Sequence, residues 1–256
     1  MRKRRELIDP MILSIFLMAL IFILPLASIL VILIVISNQR YKVKKEEYEQ
    51  STYFKSTHIP YHQFIHDKGR IGEKIIYDRL SSYEQTGARF LFNVYLNKEN
   101  GKTSEVDVIM LHSSGIYVFE SKQYSGWIFG SANQKTWTQT LNKNTKEKFY
   151  NPLFQNRTHI KYLTSALPEQ VPSTAYRSII VFSDDCQLKT KIDSSDTEVV
   201  IQQVSLQTTI NSMSCKTPNL LTKEQVVWIY NKLYPLTQVS NEIKVQHISD
   251  INAKKQ

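Results

Sequence analysis

Two carboxylates and a lysine near the middle of the chain are the residues best suited to chemistry. Asp107 lies in one β-rich run, and Glu120 and Lys122 lie in the next. The intervening His112-Ser-Ser-Gly115 is typical of a hairpin turn. Carboxylates without Cys or ligating His favour Mg²⁺ or Mn²⁺ over zinc. The three residues therefore indicate a divalent-metal site beside an ammonium group.

The register of this hairpin decides which side chains meet. If the turn is centred within Ser113-Ser114, antiparallel partners have residue numbers that add to 227. Asp107 then faces Glu120, and Glu105 faces Lys122. Facing Cβ atoms lie about 4.5–5.5 Å apart, a separation at which two carboxylates repel unless a cation lies between them. The register therefore predicts a cation between Asp107 and Glu120.

An ordinary ion pair is the alternative explanation of the same hairpin. Glu105 and Lys122 could pair across the strands while Asp107 points to solvent. Strands alternate their side chains between two faces. The predicted faces are Glu105, Asp107, Ile109 and Leu111 on the first arm, and Ile116, Val118, Glu120 and Lys122 on the second. The residues alone leave both explanations open.

The surrounding pattern predicts a mixed α/β domain with one core. Asn151-Pro152 is a favoured opening of a helix, and Thr222 is a favoured N-cap. Residues from about 238 onward are polar and are expected to fray. The predicted helices are 61–81, 151–167 and 222–233, and the predicted strands are 89–96, 103–111, 116–123, a pair within 126–141, 177–182 and 198–202.

The segment Met11–Ile36 is apolar, carries no charge, and is long enough to span a bilayer core of about 30 Å. A cleaved signal peptide fits poorly, because the run is too long and lacks a small-residue cleavage site. Pro25 near its middle leaves two anchors open, a single pass or a re-entrant hairpin. The segment predicts a membrane anchor.

The net charge of +9 is concentrated around the apolar segment. Eight of the 32 basic and two of the 23 acidic residues lie within residues 1–45, which leaves 24 basic and 21 acidic residues, a net +3, on the rest. Four basic residues on each side give the positive-inside rule no preference. Cys186 and Cys215 do not require a disulfide, so a reducing compartment is compatible, and we expect the folded domain in the cytoplasm.

Four motifs, in order over residues 66–182, resemble the nuclease-related domain (NERD) family, which is placed within the PD-(D/E)xK nuclease superfamily. The resemblance implies a restriction-endonuclease-like core of a helix, a three-stranded antiparallel part, a helix and a strand. The motifs are Gly69-Arg-Ile-Gly72-Glu73, Glu105-Val-Asp107-Val-Ile-Met-Leu111, Gly115-Ile-Tyr-Val-Phe-Glu120-Ser-Lys122-Gln-Tyr-Ser-Gly126, and Asn151-Pro152-Leu-Phe-Gln155 followed by His159 and Leu163.

The resemblance also implies a metal set. Asp107 and Glu120 would be ligands of Mg²⁺ or Mn²⁺, and the carbonyl of Ser121 would be a third. Val106 precedes the acidic residue where the superfamily name has Pro, a departure that changes no role.

Three further residues receive roles through the resemblance. Lys122 would orient or activate water, or stabilise charge on the scissile phosphate. Glu73 would complete the acidic cluster, and Gln155 would position water, metal or phosphate. Without the resemblance, Glu73 is expected to be a helix-surface charge and Gln155 an exposed polar residue. Trp127 and Trp137 are expected to pack in the core, not to stack on bases.

The predicted organisation is a basic flank 1–10, a transmembrane segment 11–36, a juxtamembrane linker 37–60, a NERD-like domain 61–236 and a polar tail 237–256. The predicted function is a membrane-anchored, divalent-metal-dependent nuclease that acts on DNA, with RNA left open. The alternative is a non-catalytic membrane-anchored protein that binds nucleic acid or a protein partner. A third possibility, a structural membrane component with a buried ion-pair network, predicts that Glu120→Ala fails to fold.

Overall fold

The computed structural model describes residues 10–141, 145–167, 171–190, 192 and 195–253. The chain forms two compact units, Met1–Ser51 and Thr52–Gln256. Among its described residues, the first unit comprises helix α1, Pro10–Gln50, and Ser51. The second unit contains every residue to which the sequence assigns chemistry.

Helix α1 is continuous through Pro25 over its 41 residues. The re-entrant hairpin is therefore wrong, since that anchor needs a break near this proline. Within the described residues, one stretch, Ile23–Gln50, is helical and also long and apolar enough to cross a membrane. Its large apolar side chains are exposed, for example Leu26 and Ile32. The helix also continues through much of the range predicted as a linker.

The second unit contains seven α-helices and nine strands among its described residues. The helices are α2 (Thr52–Thr57), α3 (Tyr61–Phe64), α4 (Lys68–Leu80), α5 (Pro152–Ala166), α6 (Leu206–Lys216), α7 (Lys223–Leu233) and α8 (Asn241–Ala253). The strands are β1 (Arg89–Asn97), β2 (Thr103–His112), β3 (Gly115–Lys122), β4 (Gly126–Phe129), β5 (Thr136–Thr140), β6 (Lys146–Tyr150), β7 (Tyr176–Phe182), β8 (Cys186–Leu188) and β9 (Glu198–Gln202).

The larger sheet has five strands in the order β1-β2-β3-β7-β9. Strands β1, β2 and β3 are antiparallel neighbours, and β7 and β9 continue the sheet in parallel. The mixed α/β class is therefore confirmed. The order of elements also follows the expected core, with α4, the three antiparallel strands, α5 and then β7.

Helices cover both faces of this sheet. On one face, Leu163 of α5 and Ile229 of α7 pack in the main apolar core with Ile109 and Val118 of the hairpin. On the other face, Tyr77 of α4 contacts aromatic rings of β1 edge-on. The hairpin strands are therefore buried on both sides, and polar groups on them need partners.

A second sheet has the order β6-β5-β4-β8. Its inner face packs Trp137 and Ile128 against Leu153 of α5 and Phe182 of β7. Trp137 is fully buried and its ring stacks on that of Phe182, so its predicted packing role is confirmed. The strand pair predicted within 126–141 is present as β4 and β5, whereas β6 and β8 extend it beyond the prediction.

Two other segments differ from the sequence prediction. The helix expected over 61–81 is divided, because Asp67 leaves the helical conformation and its side chain accepts the Arg70 N–H as an N-cap of α4. The tail expected to fray forms α8, which buries His247.

Candidate functional site

The β2–β3 hairpin has the predicted register. Val108 pairs with Phe119 and Leu111 with Ile116, so partner numbers add to 227 as expected. Extended by one pair, this register places Asp107 opposite Glu120. At that point the Ser121 N–H donates to Asp107 Oδ2 over 2.8 Å. The Asp107 side chain is therefore fixed against the end of β3.

Strands β1 and β2 both depart from regular strand geometry beside Asp107. Asn93 of β1, which lies opposite Asp107 in the register, has φ of 51°, a left-handed conformation that Asn tolerates better than most residues. Val106 and Ile109, which strict alternation would separate, both belong to the same core cluster. The prediction that Glu105 shares a face with Ile109 was therefore wrong, since the alternation is interrupted between them.

Glu120 is nearly inaccessible and both of its oxygens have partners. Oε1 accepts from Lys122 Nζ at 2.7 Å, and Oε2 lies 3.1 Å from His159 Nε2. Lys122 Nζ also donates to Gln155 Oε1 at 3.2 Å. The Glu105–Lys122 pair is not formed; Glu105 instead accepts from the Tyr95 hydroxyl at 2.8 Å. Lys122 therefore belongs to the Glu120 site.

Helix α5 brings Gln155 and His159 to this site. Asn151 caps the helix through the Leu153 N–H, and Pro152 occupies its first turn, as predicted. The buried Asn156 Nδ2 donates to the Val118 carbonyl at 2.8 Å and so fixes α5 against β3. Gln155 and His159, four residues apart, then point to the same side of the helix.

His159 is the site residue that sequence reasoning left without a role. Its Nε2 contacts Glu120, and its Nδ1 lies 2.9 Å from Ser104 Oγ on β2. The ring therefore links α5 to both strands of the hairpin. Its spacing from Gln155 on one helix face was the signal that could have assigned it.

Glu73 approaches the cluster from α4 on the other side of the sheet. It is buried, not a surface charge, and Tyr53 Oη donates to its Oε2 at 2.9 Å. Burial and the charge of Glu105 raise the pKa of Glu73 to about 8. Gly72 allows this approach, since a Cβ there would meet Ser121 Oγ and the Gln123 side chain.

The pKa values of the two carboxyl groups, Asp107 and Glu120, are shifted in opposite directions. Burial, Glu120 and Glu73 raise the pKa of Asp107 well above its usual value. Burial also opposes ionisation of Glu120, but Lys122 and His159 outweigh it and hold the Glu120 pKa below its usual value. For Lys122, the neighbouring carboxylates outweigh burial and raise its pKa. A charged Glu120–Lys122 pair thus lies beside a carboxyl group that lacks a counter-charge of its own.

The donor chemistry fits a hard divalent cation. Carboxylate oxygens suit Mg²⁺ and Mn²⁺, and a cation beside Asp107 would offset the burial and the repulsion from Glu120 and Glu73 that raise its pKa. Asp107 and Lys122 are only partly covered, so the site is open to an incoming group. In the described part of the chain, no three His, Cys, Asp or Glu side chains converge closely enough to hold an ion by themselves. The expected ligand set of Asp107, Glu120 and the Ser121 carbonyl remains a prediction.

Trp127 differs from the expectation for it. The residue is 51% exposed on β4, so the predicted packing role was wrong for this tryptophan. Its neighbour Ile128 faces the core instead. Neighbouring residues of a strand point to opposite faces, so on a strand with one buried face only one of Trp127 and Ile128 can be buried.

The family model of the nuclease-related domain matches residues 68–183. The chain is also similar to an uncharacterized protein of Bacillus anthracis, with 32% identity over 187 residues that cover 73% of this chain and 85% of that protein. The matched range includes α4, the β2–β3 hairpin and α5, which carry all the predicted site residues. The chain belongs to the nuclease-related domain family.

Proposed function

We propose that this protein is a membrane-anchored, divalent-metal-dependent nuclease that hydrolyses phosphodiester bonds of DNA, with a site of the PD-(D/E)xK type. One observation carries the proposal: Lys122 Nζ bridges Glu120 Oε1 and Gln155 Oε1, beside the carboxyl group of Asp107. Family membership supports the reaction class. RNA, which contains the same reactive bond, is the alternative substrate.

The residues of the site have different roles in the proposed hydrolysis. Asp107 and Glu120, with the Ser121 carbonyl, would hold Mg²⁺ or Mn²⁺, which lowers the pKa of bound water and polarises the phosphoryl oxygen. Lys122, kept charged by its carboxylate neighbours, stabilises negative charge that grows on the phosphate oxygens. Gln155 accepts from the Lys122 ammonium group and so orients it, and would position water or phosphate beside it.

Two buried residues position this machinery. His159 holds the second oxygen of Glu120, which limits the orientations that the carboxylate can adopt. A cation beside Asp107 would favour ionisation of Glu73, whose pKa is about 8 without it, and the Glu73 charge would in turn strengthen cation binding. Neither residue needs to touch the substrate for these effects.

Helix α1 supports the membrane anchor. The stretch Ile23–Gln50 is long enough to cross a bilayer, and its apolar side chains are not buried as those of a core helix would be. Cys186 and Cys215 are both free, which is compatible with a cytoplasmic catalytic domain. Protease digestion of the domain in inside-out vesicles but not in intact cells would support this orientation; the reverse pattern would contradict it.

Cleavage of supercoiled plasmid by the full chain in detergent tests the activity. The wild type is expected to nick the plasmid with Mg²⁺ and not with chelator, whereas Asp107→Asn and Glu120→Gln lose cleavage. Glu224→Gln, a change at an exposed position on α7, is the matched control. Binding of DNA without cleavage by a folded wild type in Mg²⁺ would favour the non-catalytic binding protein instead.

A further inference from the structure

The outer face of the second sheet combines aromatic and basic side chains. Alternation places Ile128 and Trp137 inward, and it places Trp127 and Phe129 of β4 on the opposite face. The rings of Trp127 and Phe129 are 51% and 40% exposed and meet edge-on with centroids 6.4 Å apart. Two adjacent, half-exposed aromatic rings on one strand are available for stacking.

The strand register continues these rings into two parallel rows. Trp127 pairs with Thr140, which pairs with Lys146 of β6. In the next row, Phe129 pairs with Thr138, which pairs with Lys148. Each row therefore runs from an aromatic residue through a threonine to an exposed lysine, over two strand spacings of about 4.8 Å each.

A third lysine, directly after β8, flanks the rings. The Lys189 Nζ lies 5.8 Å from the centroid of the Trp127 ring, within cation–π range. Among the described residues of the four strands, only Glu147 is acidic. It lies between Lys146 and Lys148 on β6, so alternation places it on the opposite face. Asp184 and Asp185 lie in the turn before β8, where Asp184 is paired with Arg79 and Asp185 accepts from the Ser183 hydroxyl. The face is therefore positive with aromatic centres.

We propose that this outer face binds a single-stranded segment of the nucleic acid on which the site acts, an inference that rests on the proposed nuclease function. Exposed rings stack on unpaired bases, and lysines beside them bind the phosphates of the same strand. A duplex keeps its bases stacked internally and offers none to Trp127 and Phe129. The rings thus select single strands, whereas the lysines contribute affinity for any polyanion.

The position of the face suits this role. Trp127 follows Lys122 by five residues, which span at most about 17 Å of extended chain. Two backbone hydrogen bonds, from the Ser183 N–H to the Lys122 carbonyl and from the Gly126 N–H to the Asp185 carbonyl, hold the connection against the turn before β8. A nucleic-acid strand bound on this face can therefore continue into the catalytic site.

Fluorescence anisotropy of labelled oligonucleotides tests this inference. The full chain in detergent is titrated, in chelator to prevent cleavage, with an oligo-dT, an abasic oligomer of the same length and a hairpin duplex. Trp127→Ala is expected to weaken oligo-dT binding about tenfold and to leave abasic binding unchanged, since only stacking is removed. Trp228→Ala, which removes a half-exposed Trp from α7, is the control and is expected to change neither.

A salt titration tests the lysines. The double variant Lys146→Ala/Lys148→Ala is expected to lower the slope of log affinity against log salt by about 0.7 for each phosphate that it no longer neutralises. The inference would be overturned by any of three results. Trp127→Ala could bind oligo-dT as tightly as the wild type does, or it could lose as much affinity for the abasic oligomer as for oligo-dT. The wild type could also bind the hairpin duplex as tightly as oligo-dT. These results leave the proposed function intact if the wild type cleaves plasmid with Mg²⁺; lack of cleavage refutes that function whatever the binding result.

Discussion

Replacing Glu73 by Gln is expected to stabilise the metal-free protein at alkaline pH and to change its stability little at pH 5. Glu73 is buried, and its folded-state pKa is raised from 4.5 to about 8. The folded state therefore binds the Glu73 proton more tightly than the unfolded state does. Stability from this group is fully present below about pH 4.5 and is lost as the pH rises to about 8.

The size of the effect follows from the shift. A change of 3.5 pKa units, from 4.5 to about 8, at about 1.36 kcal/mol per unit, gives an upper limit of about 5 kcal/mol above pH 8. Gln keeps the shape of the protonated acid and can still accept from the Tyr53 hydroxyl. That amount is a large fraction of the total unfolding free energy of a domain, which is usually about 5–15 kcal/mol, or about 0.05–0.15 kcal/mol per residue.

Urea unfolding of the full chain in detergent and chelator, followed by tryptophan fluorescence at pH 5, 7 and 8.5, measures this difference. Glu224→Gln is the control, because Glu224 is exposed and its lowered pKa places its titration below this range. If the wild type and Glu73→Gln keep a constant difference in unfolding free energy from pH 5 to 8.5, Glu73 ionises without penalty. The account of a crowded acidic cluster would then fail.

Three other substitutions test separate parts of the account. His159→Gln removes the partner of Glu120 Oε2 and is expected to lower the plasmid-cleavage rate about 10- to 100-fold with an unchanged circular dichroism spectrum; an unaltered rate would refute its positioning role. Gly72→Ala forces a methyl group toward the Ser121 side chain and is expected to lower the unfolding free energy by about 1–3 kcal/mol, and equal stability would show that α4 can move away. Trp137→Ala is expected to lower the unfolding free energy by about 3–5 kcal/mol, whereas Trp127→Ala changes it little; similar losses from both would contradict their assignment to opposite faces.

Local signals in the sequence were sufficient for the hairpin. The turn residues fixed its register, because the position and length of a hairpin turn determine which residues of the two strands pair. The helix that begins at Asn151-Pro152 was predictable for the same reason, since N-cap and first-turn preferences act over a few residues. These two elements carry four of the five residues assigned to catalysis.

Features that depend on distant parts of the chain were not predictable. The left-handed conformation of Asn93 changes which side chains share a face, yet an asparagine within an apolar strand gives no local sign of it. The link from Ser104 through His159 to Glu120 joins residues 55 and 39 positions apart. Strand β6 was missed because its inward packing depends on β5 and on Phe182.

Titration calorimetry with Mg²⁺ tests whether Asp107 helps to bind a divalent cation. The full chain in detergent is titrated at pH 8 as the wild type and as Asp107→Asn, which removes the charge of the carboxyl group that lacks its own counter-charge but retains its shape. The wild type is expected to bind Mg²⁺, and Asp107→Asn is expected to bind it at least tenfold more weakly. Equal Mg²⁺ affinity of the two proteins, or no binding by a folded wild type, would contradict this expectation.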